Sequence, residues 1–192
     1  MLKNLFKFLL SNLYLLKIRF FAFFLGVEYV VRKLESCPKY FVPILLMNYG
    51  AKLGKKIHFK GYYRMDNVTG DESATNDFSN LSIGDRCVIG KGVFFDLVDK
   101  IYLEKEVGIG AHSMLMTHMD LGQMPMSALY PRKTGPIVIR EGTFLGAHVL
   151  VLHGVELGRC CIVAAGSVVT KSFPDYSVIA GVPARLGRVL EH

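Results

Sequence analysis

Residues 139–169 read IREGTFLGAHVLVLHGVELGRCCIVAAGSVV, and Ile139, Leu145, Val151, Leu157, Val163 and Val169 fall six apart without a slip. Gly142, Gly146, Gly154, Gly158 and Gly166 punctuate them. A strict hexad fits neither the 3.6-residue period of a helix nor the two-residue period of a flat strand. It fits a coil of short parallel strands, in which each aliphatic side chain is expected to stack on the one six positions earlier.

The same beat runs upstream. Leu53 and Phe59 open it, and a stretch from Asp66 to Asn80, rich in Gly, Asp, Asn, Ser and Thr, interrupts it as a loop. It resumes at Ile83, Ile89 and Phe95, shifts across 96–100, and returns at Leu103, Ile109 and Leu115. Residues 119–136, with Met124, Pro125, Met126, Tyr130, Pro131 and Pro136, stand outside the register. They read as an excursion loop of the kind that carries function on a rigid scaffold. The expected organisation is an N-terminal helical segment over 1–49 and a coil over 50–188.

Charge separates these two parts. Residues 1–60 hold 11 Lys and Arg against Glu28 and Glu35, a balance of +9; residues 61–192 hold 12 against 14 acids, a balance of −2. The basic excess belongs to the start of the chain, which argues against a nucleic-acid groove on the repeats and for an anionic membrane surface near the N-terminus. Cys37, Cys87, Cys160 and Cys161 show no CxxC spacing and read as free thiols in a reducing cytoplasm.

Residues 1–34 contain no proline and are rich in Leu and Phe. On a helical wheel Leu2, Leu5, Phe6, Leu9, Leu13, Leu16, Phe20, Phe23, Phe24 and Val27 share a face. Lys3, Lys7, Lys17, Glu28 and Arg32 gather opposite, with Leu10 and Phe21 intruding. Lys17 and Arg19 interrupt the apolar run, which disfavours a membrane-spanning helix. The segment reads as one or two helices lying in the interface of the inner membrane face, or as a cap on the coil or on a neighbouring subunit. Pro38 and Pro43 mark its exit from helix.

The hexads, the segment looped out after Thr117-His118-Met119-Asp120, the run Ala164-Ala165-Gly166-Ser167-Val168-Val169-Thr170-Lys171 and the ending Ala180–Arg185 resemble the hexapeptide-repeat acyltransferases. The nearest branch is that of the galactoside, maltose and colanic-acid O-acetyltransferases. The resemblance covers about residues 50–188. It implies a left-handed parallel β-helix, a homotrimer, and acetyl-CoA bound between neighbouring prisms, with a histidine as base.

Six histidines compete for that role: His58, His112, His118, His148, His153 and His192. His112, His118 and His148 each stand three places after a beat residue, so hexad position does not separate them. The coil leaves register directly after His118, and the resemblance places the catalytic histidine there. A sugar hydroxyl is a poor nucleophile until its proton is taken. A free imidazole, titrating at about 6.5, suits accepting that proton and returning it to a departing thiolate. Asp120 orients this imidazole or starts the loop. A rival constellation, His112, His148 and His153, resembles the zinc-ligand spacing of γ-class carbonic anhydrases, which are also left-handed β-helices. A non-catalytic trimeric scaffold is the third reading.

For the donor, the resemblance assigns Phe144, Gly146, Ala147 and Ala165 to the pantetheine arm and Thr170, Lys171 and Arg185 to the vicinity of the nucleotide phosphates. A thin arm needs small side chains and phosphates need cations; a tight coil also needs small residues for its own turns. For the acceptor, Asp96 and Asp120 are candidates, with Asn67, Asp71 and Asn76 in the polar loop. The implied activity is O-acetylation of a saccharide, lipid-linked or part of a surface polysaccharide, with no metal expected.

Overall fold

Six residues carry the chain along one flat face and round one corner, and three such steps close a triangular turn. The computed structural model describes residues 2–191, with Leu2, Lys3, Asn4, Leu5 and Phe8 described at the backbone only. His192, and the side chains of Leu2, Lys3 and Leu5 assigned above to helix faces, lie outside the described residues.

Three parallel sheets form the faces of the prism. The first is built from Lys52–Leu53, Leu81–Ile83, Ile101–Leu103, Ile137–Ile139 and Glu156–Leu157. The second runs through His58–Phe59, Val88–Ile89, Gly108–Ile109, Phe144–Leu145, Ile162–Val163 and Ser177–Gly181, with Ala184–Val189 added antiparallel. The third holds Arg64–Asp66, Phe94–Asp96, Met114–Leu115, Leu150–Val151 and Val168–Val169. The fold is a left-handed parallel β-helix.

The register corrects one sequence expectation. Ile139 pairs with Leu157, Leu145 with Val163 and Val151 with Val169, so stacked partners lie three hexads apart. A step of six moves the chain to the next face. The beat residues Ile83, Ile89, Phe95, Leu103, Ile109, Leu115, Ile139, Leu145, Val151, Leu157, Val163 and Val169 are all at most 2% exposed. Inward polar groups between the beats are paired: Ser113 Oγ donates to Gly146 O at 2.9 Å, and Thr143 Oγ1 donates to Gly158 O at 2.6 Å.

Corners demand a backbone that most residues avoid. The third residue after a beat has positive φ at Arg86, Glu106, His112, His148 and Cys160, and at Gly92, Gly142, Gly154 and Gly166. Elsewhere the coils approach too closely for a side chain: a Cβ on Gly146 would lie 2.6 Å from Ala165 N.

Three helices precede the coil: α1 (Leu2–Leu25), α2 (Val27–Ser36) and α3 (Val42–Asn48). Gly26, with φ 72°, breaks α1 from α2. Pro38 follows the end of α2 as expected, but Pro43 lies in the first turn of α3 rather than outside helix, a position where the missing N–H costs nothing. Val42, Leu45 and Leu46 of α3 and Val30 and Leu34 of α2 are buried against the coil's opening turn.

α1 is attached by a narrow stripe. Ser11 and Ile18 are buried, Tyr14 packs on Phe41 at 4.2 Å, and Arg19 donates to Asn48 Oδ1 at 2.9 Å. Its broad apolar face points away: Phe6, Leu9, Leu13, Leu16, Phe20, Phe23 and Phe24 are 58–83% exposed. No helix among the described residues is long and apolar enough to cross a membrane.

Candidate active site

The corner between the third and first faces is where the coil is enlarged. It is tight at Leu152–Val155, but three consecutive earlier turns expand there. The loop 67–80 follows Asp66, an insertion follows Asp96, and the excursion 119–136 follows the third turn. His118 stands at the last of these. Its backbone does not take the positive φ of His112 and His148. It is extended, and His118–Met119 pairs antiparallel with Lys133–Thr134 at the base of the excursion. Gly135 lets the returning strand settle on the next turn, since a Cβ there would lie 2.8 Å from Gly154 N.

Asp96 fixes the ring. Its Oδ2 lies 2.6 Å from His118 Nδ1 and accepts the His118 backbone N–H at 3.0 Å. Thr117 Oγ1 donates to the Asp96 carbonyl at 2.9 Å and lies 3.1 Å from Oδ2. Oδ1 accepts Asn67 Nδ2 at 2.7 Å and faces Val98 N–H at 3.4 Å. Asp96 is fully buried and the His118 side chain 16% exposed. A carboxylate offers about four lone-pair sites, so these neighbours saturate it. Asp96, expected from the sequence as an acceptor-binding residue, has no oxygen left for a sugar hydroxyl and sits behind the imidazole instead. With Nδ1–H donated to the carboxylate, Nε2 is the nitrogen that carries the lone pair.

Asp120 does not reach the ring; its Oδ1 accepts Gly122 N–H at 2.7 Å and its Oδ2 lies 3.3 Å from Arg132. It starts the loop. Arg132, which no sequence signal marked because its partners lie up to 61 residues away, also reaches Asp71 Oδ1 at 2.7 Å. Hydrogen bonding to that guanidinium holds the Asp71 carboxyl below the usual carboxylate range. Asn67 serves Asp96, while Asn76 is an exposed positive-φ turn residue whose N–H donates to Val68 O.

The residues assigned to the donor divide between two edges of one subunit. Phe144 is half exposed on the second face, and Ala147 and Ala165 follow at the corner beyond it. Arg185 lies on the antiparallel strand that extends the same face. Gly146 is buried, its N–H donated to Val163 O and its carbonyl taken by Ser113. It shapes the coil rather than presenting free main-chain groups. Thr170 and Lys171 are exposed on the same edge as His118, away from the others.

The zinc candidates are divided in the same way. His112 and His148 stack at one corner, centroids 5.3 Å apart and planes 15° from parallel, while His153 is on another edge. Among the described residues no three His, Cys, Asp or Glu side chains gather as a metal site, so within one subunit this trio does not converge. All four cysteines are unpaired, and burial pushes the Cys37 thiol up to about 11.

Comparison with known proteins agrees with this fold. Residues 136–171 match the bacterial transferase hexapeptide (six repeats) model. A 2,3,4,5-tetrahydropyridine-2,6-dicarboxylate N-acetyltransferase of Staphylococcus aureus is 35% identical over 69 residues, 36% of this chain and 29% of that protein. The chain thus spans under a third of the length of the curated relatives it matches. A maltose O-acetyltransferase from Clostridium difficile superposes with a TM-score of 0.73 at 20% identity, covering 93% of this chain and 89% of that one. A hexapeptide-repeat-containing acetyltransferase from Vibrio cholerae, solved with acetyl coenzyme A, gives 0.72 at 22% identity and 86% coverage of both chains. The chain carries the transferase hexapeptide repeat and has the fold of the hexapeptide-repeat acetyltransferases.

Proposed function

We propose that this protein is an acetyl-CoA-dependent O-acetyltransferase that acylates a saccharide hydroxyl, with His118 as general base. The observation that carries the reading is the buried Asp96 locked to His118 Nδ1 at 2.6 Å, at the one corner where the coil opens. His118 Nε2 takes the hydroxyl proton as the oxygen attacks the thioester carbonyl, forming the C–O bond. As the C–S bond breaks, His118 returns that proton to the leaving thiolate. Asp96 keeps the ring in this tautomer and offsets the charge of the imidazolium.

The donor surface supports the same reading. Small residues, half-buried Ala147 and exposed Ala165, stand at one edge, with the exposed cation Arg185 on the strand beyond, while Thr170 and Lys171 share the edge of His118. These two sets meet only if one subunit's edge faces another's, which fits a homotrimer with sites between copies. The N-terminal helices support a peripheral position: the outward apolar face of α1, with Lys7, Lys17 and Arg19 on the same helix, suits an anionic membrane surface. A lipid-linked or surface-polysaccharide precursor is then the fitting acceptor.

Thiol release from acetyl-CoA in the presence of a glycan panel tests the reading. Transfer at the wild-type rate by a trimeric His118→Ala protein sinks it, and failure to bind acetyl-CoA leaves only the scaffold. N-acetylation is the second reading, favoured by the 35% identical N-acetyltransferase. Hydroxylamine treatment of the product separates the two, because it cleaves esters and spares amides.

A further inference from the structure

Arg132 lies two residues before Thr134, whose Cα is the partner of His118 across the hairpin. Its guanidinium contacts Asp71 at 2.7 Å, Glu72 at 3.1 Å, Ser73 Oγ at 3.3 Å and Asp120 at 3.3 Å, with 20% of the side chain exposed. One side chain therefore joins the excursion 119–136 to the polar loop 67–80. The coil does not need either loop for its own closure, since its later turn rounds the same corner within Leu152–Val155. Both loops are confined to the edge that holds His118. The polar loop also supplies Asn67, which holds the far oxygen of Asp96.

We propose that Arg132 is a positioning residue for the acceptor: it locks the two loops together as a preformed wall beside His118 and fixes how the hydroxyl approaches Nε2. This rests on the transfer reading above. Ion pairs at exposed sites are worth little, but a mostly buried guanidinium shared among several oxygens fixes geometry. A misplaced wall is felt in acceptor binding before it is felt in donor binding.

The test uses the full-length protein with acetyl-CoA and, as acceptors, maltose and methyl β-galactoside. Arg132→Ala is expected to raise the acceptor KM by about tenfold or more, with kcat and acetyl-CoA affinity changed by no more than about twofold. Arg132→Lys is expected to recover part of the loss. Amide hydrogen exchange should quicken in both 67–77 and 120–134 of the Ala variant while the coil amides stay protected. An unchanged acceptor KM in an active protein overturns the proposal, as does unchanged exchange in the polar loop or a parallel loss of acetyl-CoA affinity. A wild-type protein that transfers to neither acceptor while binding acetyl-CoA defeats the transfer reading for these sugars and, with it, this inference. The exchange result then still reports whether Arg132 joins the loops.

Discussion

The coil and α1 use the same aliphatic and aromatic residues in opposite ways. In the coil Leu145, Val151 and Leu157 have no exposed surface, whereas Leu13, Leu16 and Phe23 of α1 are 65%, 66% and 83% exposed. A closed prism supplies its own inside, so a six-residue beat has only one direction to face. A helix has no inside, so its apolar stripe needs a partner that the fold alone does not provide. A large contiguous apolar face left outside is a site of association.

If catalysis belongs wholly to the coil, its largest effects must come from residues there and leave α1 untouched. His118→Ala is expected to lower kcat by about 10²–10⁴-fold, with the assembly state and any liposome binding the same as in the wild type; steady-state thiol release and sedimentation check this. Asp96→Asn should also be severe. An amide nitrogen at this saturated position meets donors instead of acceptors, and the ring loses the partner that sets its tautomer. Loss of both rate and thermal stability is expected, and a variant that is fully active refutes the positioning role. Next in size is the interior. Leu145→Ala should cost about 2–5 kcal/mol by denaturant unfolding, because its neighbours Ile109 and Val163 are held in register and cannot collapse onto the cavity.

What the sequence makes legible follows the same division. The hexad identifies the inward aliphatic beat of the coil because the period belongs to the backbone, but not the buried residues between beats, such as Val107, Ser113, Thr143, Val149 and Val155. It does not reveal which residues stack, since that depends on three faces closing: partners are eighteen positions apart in the unbroken last turns and thirty-six apart across the excursion, as with Ile109 and Leu145. His118 stands out by the break after it, yet its separation from the corner histidines His112 and His148 rests on a φ angle that composition does not encode. Asp96 was visible as an acceptor candidate, but its contact with His118 was not. It is 22 residues from His118, and the parallel register of Phe94–Phe95 on Met114–Leu115 is what brings its carboxylate to the ring. Arg132 left no trace, as all its partners but Asp120 come from a loop two turns of the coil away. For α1 the wheel groups Phe6, Leu9, Leu13, Leu16, Phe20, Phe23 and Phe24, all exposed, but it runs on through Gly26 to Val27, which belongs to α2, and says nothing of whether the face points inwards.

The smallest effect on folding is therefore the sharpest test of the contrast. Replacing Leu9, Leu13, Leu16 and Phe20 together with Gln should change unfolding free energy by no more than about 0.5 kcal/mol per site, as expected for surface positions. The same protein should stay in the supernatant with anionic liposomes that sediment the wild type, since each apolar side chain withdrawn from lipid forfeits up to about 1.5–3 kcal/mol. Wild-type binding should weaken with salt, because Lys7, Lys17 and Arg19 act through screened charge. Should the four-residue variant instead lose the proposed trimer or unfold several kcal/mol more easily, the outward face of α1 is covered by neighbouring copies. The apolar helix would then be an interior after all, completed by the assembly rather than by a bilayer.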